Sequence, residues 1–319
     1  MKNKRDTLPQ VLLLGNGLNL SYTSYSISWE NLIRDGGDSL VPFNLRIPFS
    51  LEVVLRTSGH VREKMENQKE MLFGRVDTEI LADTITKMFN IGFDEVLTTN
   101  YSYELESAVL KTQQVTEKQL NDIRNSTTGT ADKKFLLHTY NEVSSDLVPY
   151  SRIWHIHGEA ANPDSMVISH EDYGSLLNRF VNFIRWREKD NRFSCYWDIP
   201  MESWIDAFML GDVYILGQGL DFAEMDLWWL IERKHNLPQN HGSIYFYEPK
   251  SDRSYDAKTE LLKIYGANYI DLNYALPVKP GHGGSAADNE KYQKEKDAVY
   301  SRFYLSALED IAGKVKSRR

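Results

Sequence analysis

Short apolar runs alternate with longer stretches of helical periodicity in this sequence, and that alternation constrains the fold more than any other feature. The strand-like runs, most of which end in Gly, Asn or Pro, cover residues 11–14, 95–99, 152–156, 166–168, 213–216, 243–247 and 268–272. They contain few alternating polar residues, which is typical of strands buried on both faces. Apolar residues at three- and four-residue spacing predict helices over 49–56, 63–89, 103–110, 173–187, 224–234 and 255–265. The alternation indicates an α/β protein with a doubly wound, mostly parallel sheet and helices on both faces.

Two stretches exceed a minimal Rossmann-like unit. Residues 21–89 and 172–208 are helical in pattern, and we predict that these helical insertions cover one edge of the sheet as a lid or subdomain. Residues 273–293 contain Gly, Pro and small residues typical of a linker. An amphipathic helix follows over about 292–316. The predicted organisation is a main domain over 1–275 and a linker with a C-terminal helix over 276–319.

The composition excludes several classes of protein. Of the 319 residues, 41% are hydrophobic and 26% are charged, which suits a packed core and excludes global disorder. The net charge of −8 argues against a protein whose main task is to bind a nucleic-acid backbone. The single cysteine, Cys195, excludes an internal disulfide framework and a cysteine-based zinc site. The apolar run Val11–Leu14 is too short for a signal peptide or a membrane span, so we expect a cytoplasmic protein.

Open α/β sheets bind ligands beyond the carboxyl ends of their strands. The unusual strand ends of this sequence are Gly15-Asn16-Gly17, Thr98-Thr99-Asn100-Tyr101, His155-Ile156-His157-Gly158 and Gly217-Gln218-Gly219. In the first, Gly-x-Gly can bring backbone amides close to a phosphate. The third glycine of the dinucleotide fingerprint is missing, because Leu20 occupies its place. A plain strand-to-helix turn is therefore an equal alternative.

The second and fourth strand ends each allow two interpretations, one in which their residues bind a ligand and one in which they stabilise the fold. The amide of Asn100 can offer a ligand both a donor and an acceptor, or it can cap a helix that begins near Tyr103. The glycines at 217 and 219 allow a ribose or adenine to approach the backbone. Asp226 can hold a ribose hydroxyl or cap the following helix, while capping is the expected role of Asp221 or Glu224.

The third strand end carries two histidines. His157 follows an apolar strand and precedes a glycine, a position that suits a general base with a pKa near neutrality. His155 lies two residues earlier, so we expect it on the same strand face, as a hydrogen-bonded core residue. The alternative is a His-x-His metal site, whose further ligand would come from Asp164, Asp172 or Asp226.

The order of the four motifs resembles a known family. GNGLN, TTNY, HIHG and GQGL follow the order of the sirtuin-type NAD-binding family, in which the corresponding motifs are Gly-Ala-Gly, Thr-Gln-Asn-Ile-Asp, His-Gly and Gly-Thr-Ser. The phrases PDSMVISHEDYG and GQGLDFAEMDLWWL are similar to those of prokaryotic sirtuin-like NAD hydrolases of antiphage defence. The resemblance covers roughly residues 9–275, and it makes the main domain a sirtuin-like NAD-binding catalytic domain.

The resemblance implies an NAD glycohydrolase that cleaves NAD to nicotinamide and ADP-ribose, and that depletes NAD in abortive infection. It implies that Asn100 and His157 are catalytic, with NAD as substrate and no metal ion. The residues it assigns to NAD binding are Gly15, Asn16, Gly17, Gly217, Gln218 and Gly219. We expect Asn19, Thr99 and Asp226 to bind NAD as well.

The sequence departs from the family at two points. Ser102 stands where sirtuins have an aspartate that helps to bind nicotinamide. The zinc-ribbon cysteines of deacetylases are absent, which argues against an NAD-dependent protein deacylase. The remaining alternative is a non-catalytic module that senses NAD, ADP-ribose or another nucleotide. A dehydrogenase would need a fuller glycine fingerprint.

The resemblance also implies that activity is gated, because a constitutive NADase would kill its own cell. We expect a homo-oligomer, or a separately encoded defence partner such as a helicase-like ATPase or an Argonaute-type protein, and no direct contact with nucleic acid or membrane. The candidate contact surfaces are the C-terminal helix and an aromatic cluster of Phe183, Trp186, Trp197 and Trp204, although we expect that cluster to pack within its own domain.

Overall fold

The computed structural model describes residues 8–22, 63, 65–66, 69–189, 200–237, 241–250, 257–280 and 285–318. The predicted helix over 49–56, much of the first insertion and Trp197 lie outside the described residues.

The described strands form one eight-stranded sheet. They are β1 (Gln10–Leu14), β2 (Glu95–Thr98), β3 (Arg124–Ser126), β4 (Thr139–Val143), β5 (Ser151–His155), β6 (Asp212–Leu216), β7 (Ile244–Tyr247) and β8 (Asn268–Ile270). Their spatial order is β3-β4-β5-β2-β1-β6-β7-β8. The two pairings of β4 are antiparallel and all the others are parallel, so the predicted mostly parallel sheet is confirmed.

Helices connect the strands on both faces of the sheet. They are α1 (Gly17–Tyr22), α2 (Lys69–Leu72), α3 (Glu79–Asn90), α4 (Glu104–Val109), α5 (Glu117–Ile123), α6 (His170–Lys189), α7 (Trp204–Leu210), α8 (Met225–His235), α9 (Ala257–Ile264) and α10 (Ala286–Arg318). A short 3-10 turn covers Pro163–Ser165. Among the described residues, no helix is both long and apolar enough to cross a membrane.

Successive residues of the central strands point into two separate cores. On one face, Leu13 and Leu97 pack with buried side chains of α6, α7 and α8. On the other face, Leu12 and Val96 pack with α3, α4 and α10. Burial of both faces explains why these strands are apolar without alternation.

Six of the seven predicted strands are confirmed to within two residues. The strand predicted over 166–168 is wrong. This segment makes a backbone hydrogen bond from Val167 N to His157 O at 2.8 Å, and it crosses the end of β5 without joining the sheet. The polar sequences of β3 and β4 carry no apolar run, so the antiparallel edge of the sheet was not predicted.

The second insertion packs as a regular layer of the fold. Phe180 of α6 and Trp204 of α7 are fully buried in the core on one sheet face. The prediction of a lid over the sheet edge is therefore wrong for the described part of 172–208. Burial of Trp204 confirms that this member of the aromatic cluster packs within its own domain, whereas Trp186 is 40% exposed.

The C-terminal helix is longer and more integral than the sequence indicated. It begins at Ala286, inside the predicted linker. Ser285 stabilises this start, because its N–H donates to the Asp288 carboxylate and its hydroxyl accepts from Asp288 N. Its residues Phe303, Leu308 and Ile311 are buried in the same core as β1 and β6. The helix therefore lies against the sheet, and it can contribute residues to a site at the edge where the parallel strands end.

Candidate active site

A polar cleft of about 690 Å³ lies at the carboxyl ends of β1, β2, β6 and β7. Eight of the predicted site residues line it, namely Asn16, Gly17, Thr99, Asn100, His157, Gly217, Gln218 and Gly219. The other three, Gly15, Asn19 and Asp226, do not line the cleft but contact residues that do. The fold thus brings the four unusual strand ends to one place, as parallel strands require.

The two glycines of the first turn are needed for close packing of the β1 and β6 turns. Gly15 N donates to Leu216 O at 2.9 Å, and Gly17 N donates to Gly217 O at 2.8 Å. A Cβ atom on Gly15 would lie 2.5 Å from Gly217 O, which is impossible without movement of the backbone. The amides of Gly15 and Gly17 are therefore already bonded within the protein, and the approach of this turn to a phosphate stays a prediction.

We expect Gly15→Ala to lower the free energy of unfolding by about 1–3 kcal/mol, because the added methyl group overpacks the contact between the two turns. Urea unfolding measures this change. Gly219→Ala is the matched control, since nothing lies within 4 Å of a Cβ atom added there. Equal stability of the two variants would contradict the packing role of Gly15.

Gln218 lines the cleft and joins the ends of β2 and β6 through its side-chain amide. Its Oε1 accepts a hydrogen bond from Thr99 Oγ1 at 2.9 Å, and its Nε2 donates to Glu224. Glu224 also accepts from Asp221 N at 2.8 Å, so its carboxylate fixes the β6 loop and does not cap α8. Burial raises the pKa of Glu224 to about 7, although the nearby His157 lowers it.

Asn100 has an amide with no partner among the described residues. The side chain lines the cleft and is 7% exposed, yet neither Oδ1 nor Nδ2 makes a hydrogen bond. The helix that follows is α4, and its first turn has no side-chain cap, so the capping alternative for Asn100 is wrong. A buried, unpaired amide costs free energy that a ligand can return by completing its hydrogen bonds.

His155 fixes the backbone of Asn100. Its Nδ1 lies 2.7 Å from Asn100 O, and its Nε2 lies 2.9 Å from Glu106 Oε1. Burial lowers the pKa of His155, but the Glu106 carboxylate and its hydrogen bond outweigh burial and raise it overall. Both partners are acceptors, so the imidazolium form satisfies them together.

His157 points to the opposite face of the sheet, which corrects the prediction that the two histidines share a face. β5 ends at His155, and the chain then turns at Gly158 with a φ of +89°. His157 Nε2 lies 2.8 Å from Asp226 Oδ2 of α8, and the ring packs edge-on against Tyr173 of α6. The imidazole rings of His155 and His157 therefore contact different residues. Within the described ranges, no group of three His, Cys, Asp or Glu side chains is placed to hold a metal ion.

The His157–Asp226 pair has the form of an oriented general base. Burial lowers the pKa of His157, but Asp226, its hydrogen bond and the nearby Glu224 together raise it above the ordinary value of 6.5. Asp226 is fully buried, so it orients the imidazole and leaves Nδ1 as the nitrogen that can accept a proton. The other oxygen, Oδ1, has no partner among the described residues, and the ribose contact of Asp226 stays a prediction.

The sequence did not assign several residues that line the cleft to the site. Glu104 lines it two residues after Ser102, whose hydroxyl donates to Glu104 Oε2. Glu224 lines it on the β6 side, and Lys296, Tyr300 and Tyr304 of α10 form another wall. Glu104 could have been proposed from the sequence, because it is an acidic residue two positions after Ser102. No local sequence pattern indicated that α10 would reach the strand ends.

The sheet and cleft define a Rossmann-like protein with a polar site at the carboxyl ends of its central strands. A profile of the SIR2-like domain matches residues 94–270, more than half of the 319-residue chain. The chain therefore belongs to the SIR2-like domain family, whose members use NAD. No curated protein matches the sequence significantly.

Proposed function

We propose that this protein hydrolyses NAD to nicotinamide and ADP-ribose, and that it depletes NAD as an effector of antiphage abortive infection. The observation that carries the proposed hydrolysis is the presence, in one cleft, of the unpaired amide of Asn100 and of His157 oriented by Asp226. The role in defence rests on the motif resemblance and on the requirement that such an activity be gated.

Cleavage of the bond between nicotinamide and ribose in NAD needs no general acid, because nicotinamide leaves as a neutral group. Positive charge develops on the ribosyl carbon. Asn100 can hold the attacking water or a ribose hydroxyl through its amide oxygen and nitrogen. His157 Nδ1 can take the proton released when the new C–O bond forms. The carboxylates of Glu104, Asp221 and Glu224 line the same cleft and favour positive charge there.

Glu104 offers the carboxyl group that position 102 lacks. The side chain is 1% exposed, and its Oε1 has no partner among the described residues. Burial raises the pKa of Glu104 to about 7, against the effect of the Ser102 hydrogen bond. It can therefore accept from the amide nitrogen of the nicotinamide carboxamide when ionised, or donate to its oxygen when protonated.

We expect the purified protein to release nicotinamide and ADP-ribose in equal amounts from NAD in a buffer with EDTA, as followed by chromatography. A parallel calorimetric titration measures NAD binding. If the activity is gated, release appears only when NAD is followed in cells that express the protein and are challenged with phage. Binding of NAD with release in neither setting would favour the sensing module over the hydrolase.

A further inference from the structure

The charges of the cleft do not suit a dinucleotide as they stand. Its described lining includes five carboxylates, those of Glu104, Asp221, Glu224, Glu248 and Asp297. NAD and ADP-ribose each carry a pyrophosphate with two negative charges, which the ionised carboxylates repel. Glu104 and Glu224 contribute only part of this repulsion near neutral pH, because burial raises their pKa values to about 7. The site therefore needs a source of positive potential near the phosphates.

The first turn supplies less of that potential than its sequence suggests. The amides of Gly15 and Gly17 are bonded to carbonyl oxygens of the β6 turn. Lys258 stands close by, but its Nζ is held by Glu248 at 2.7 Å and by Gly219 O at 3.1 Å. The two glycine amides and the Lys258 ammonium group therefore already have acceptors within the protein.

One basic side chain lines the described part of the cleft, and it comes from the C-terminal helix. Lys296 lies one turn before Tyr300 and two turns before Tyr304, so the three share one face of α10. The Lys296 Nζ is 5.9 Å from the centre of the Tyr300 ring, and the Tyr300 and Tyr304 ring centres are 5.7 Å apart. A Cβ atom on Gly17 would lie 2.4 Å from Tyr304 Oη, so this face reaches the first turn.

Lys296 also differs from the neighbouring lysines of its helix. Lys291 and Lys294 each pair with a glutamate one turn away, at 3.8 and 2.8 Å. Lys296 has a tyrosine at the corresponding position, and it forms no ion pair within the described ranges. Its ammonium group is thus available to an anion in the cleft, which both Lys296 and Tyr300 line.

We propose that Lys296 binds the pyrophosphate of the nucleotide, and that α10 is a wall of the nucleotide site although it lies outside the matched residues 94–270. The inference rests on the proposed function for the identity of the ligand. The phosphate contact then comes from a cation of the C-terminal helix, on the helix face that reaches the first turn.

The test is calorimetric titration of the full-length protein with ADP-ribose at low salt. Lys296→Met keeps an apolar side chain of similar length but removes the charge, and we expect it to weaken ADP-ribose binding about tenfold, as for loss of one charge-assisted hydrogen bond. Lys296→Arg should restore affinity to within about threefold, because the charge returns. Lys294→Met is the matched control, and it should bind as the wild type does.

Equal affinity of wild type and Lys296→Met would overturn the inference, and so would failure of Lys296→Arg to restore binding. If the wild type binds ADP-ribose and Lys296→Met does not, the inference stands even where no nicotinamide is released and the hydrolase proposal fails. No binding of ADP-ribose by the wild type would overturn the inference about Lys296, whereas nicotinamide release from NAD would still decide the hydrolase proposal.

Discussion

Replacement of Asn100 by leucine is expected to abolish turnover and to stabilise the protein. Leucine has the same number of side-chain heavy atoms and removes an amide that is buried without hydrogen bonds among the described residues. We expect NAD cleavage to fall by at least about 10²-fold, as for loss of one preorganised polar group. We expect the free energy of unfolding to rise by about 1 kcal/mol, because the folded state no longer buries an unpaired amide. Nicotinamide release and urea unfolding measure the two effects.

Asn141→Leu is the matched control for this substitution. Asn141 is also buried, but its Nδ2 donates to Glu106 Oε1 at 2.8 Å. The same change there removes a hydrogen bond to a carboxylate, so we expect a loss of about 1.5–3 kcal/mol of unfolding free energy. If Asn100→Leu destabilised the protein as Asn141→Leu does, the amide of Asn100 would have a structural role and not a binding one.

Removal of the His157 imidazole is the second substitution for which we expect a large loss of NAD cleavage. We expect His157→Ala to lower the rate of NAD cleavage by about 10²–10⁴-fold, since that is the usual contribution of a general base. His157→Gln retains a donor for Asp226 but has no titratable nitrogen, so it should be as inactive as His157→Ala and closer to wild type in stability. Activity of either variant near that of the wild type would remove His157 from the mechanism.

The pH profile separates the base from the residue that positions it. Because Asp226 raises the pKa of His157, the rate of the wild type should fall with acidity through a limb that lies above pH 6.5. Below that pKa, Nδ1 carries a proton and cannot accept another. Asp226→Asn removes the charge that raises the pKa, so the acid limb should move to lower pH. A limb that stays in place would show that another group titrates.

The central strands were predictable because each is an apolar run buried on both faces, as Leu12 and Leu13 of β1 illustrate. The antiparallel edge of the sheet was not predictable, because β3 and β4 form through backbone pairing of polar residues such as Asn125 and Tyr140. The sequence also placed Asn100 and His157 at strand ends, and the parallel sheet then brought them into one cleft.

The sequence by itself determined the class of the fold, the strand ends that form the site and the residue types available for chemistry, because these depend on local periodicity and composition. Only the tertiary structure decided how those residues are used. It left the Asn100 amide unpaired, turned His157 toward Asp226 instead of toward the His155 side, and brought Lys296 of α10 to the cleft. Each outcome depends on a contact between residues that are distant in the chain, and such contacts arise from packing around the whole sheet, which no local pattern encodes.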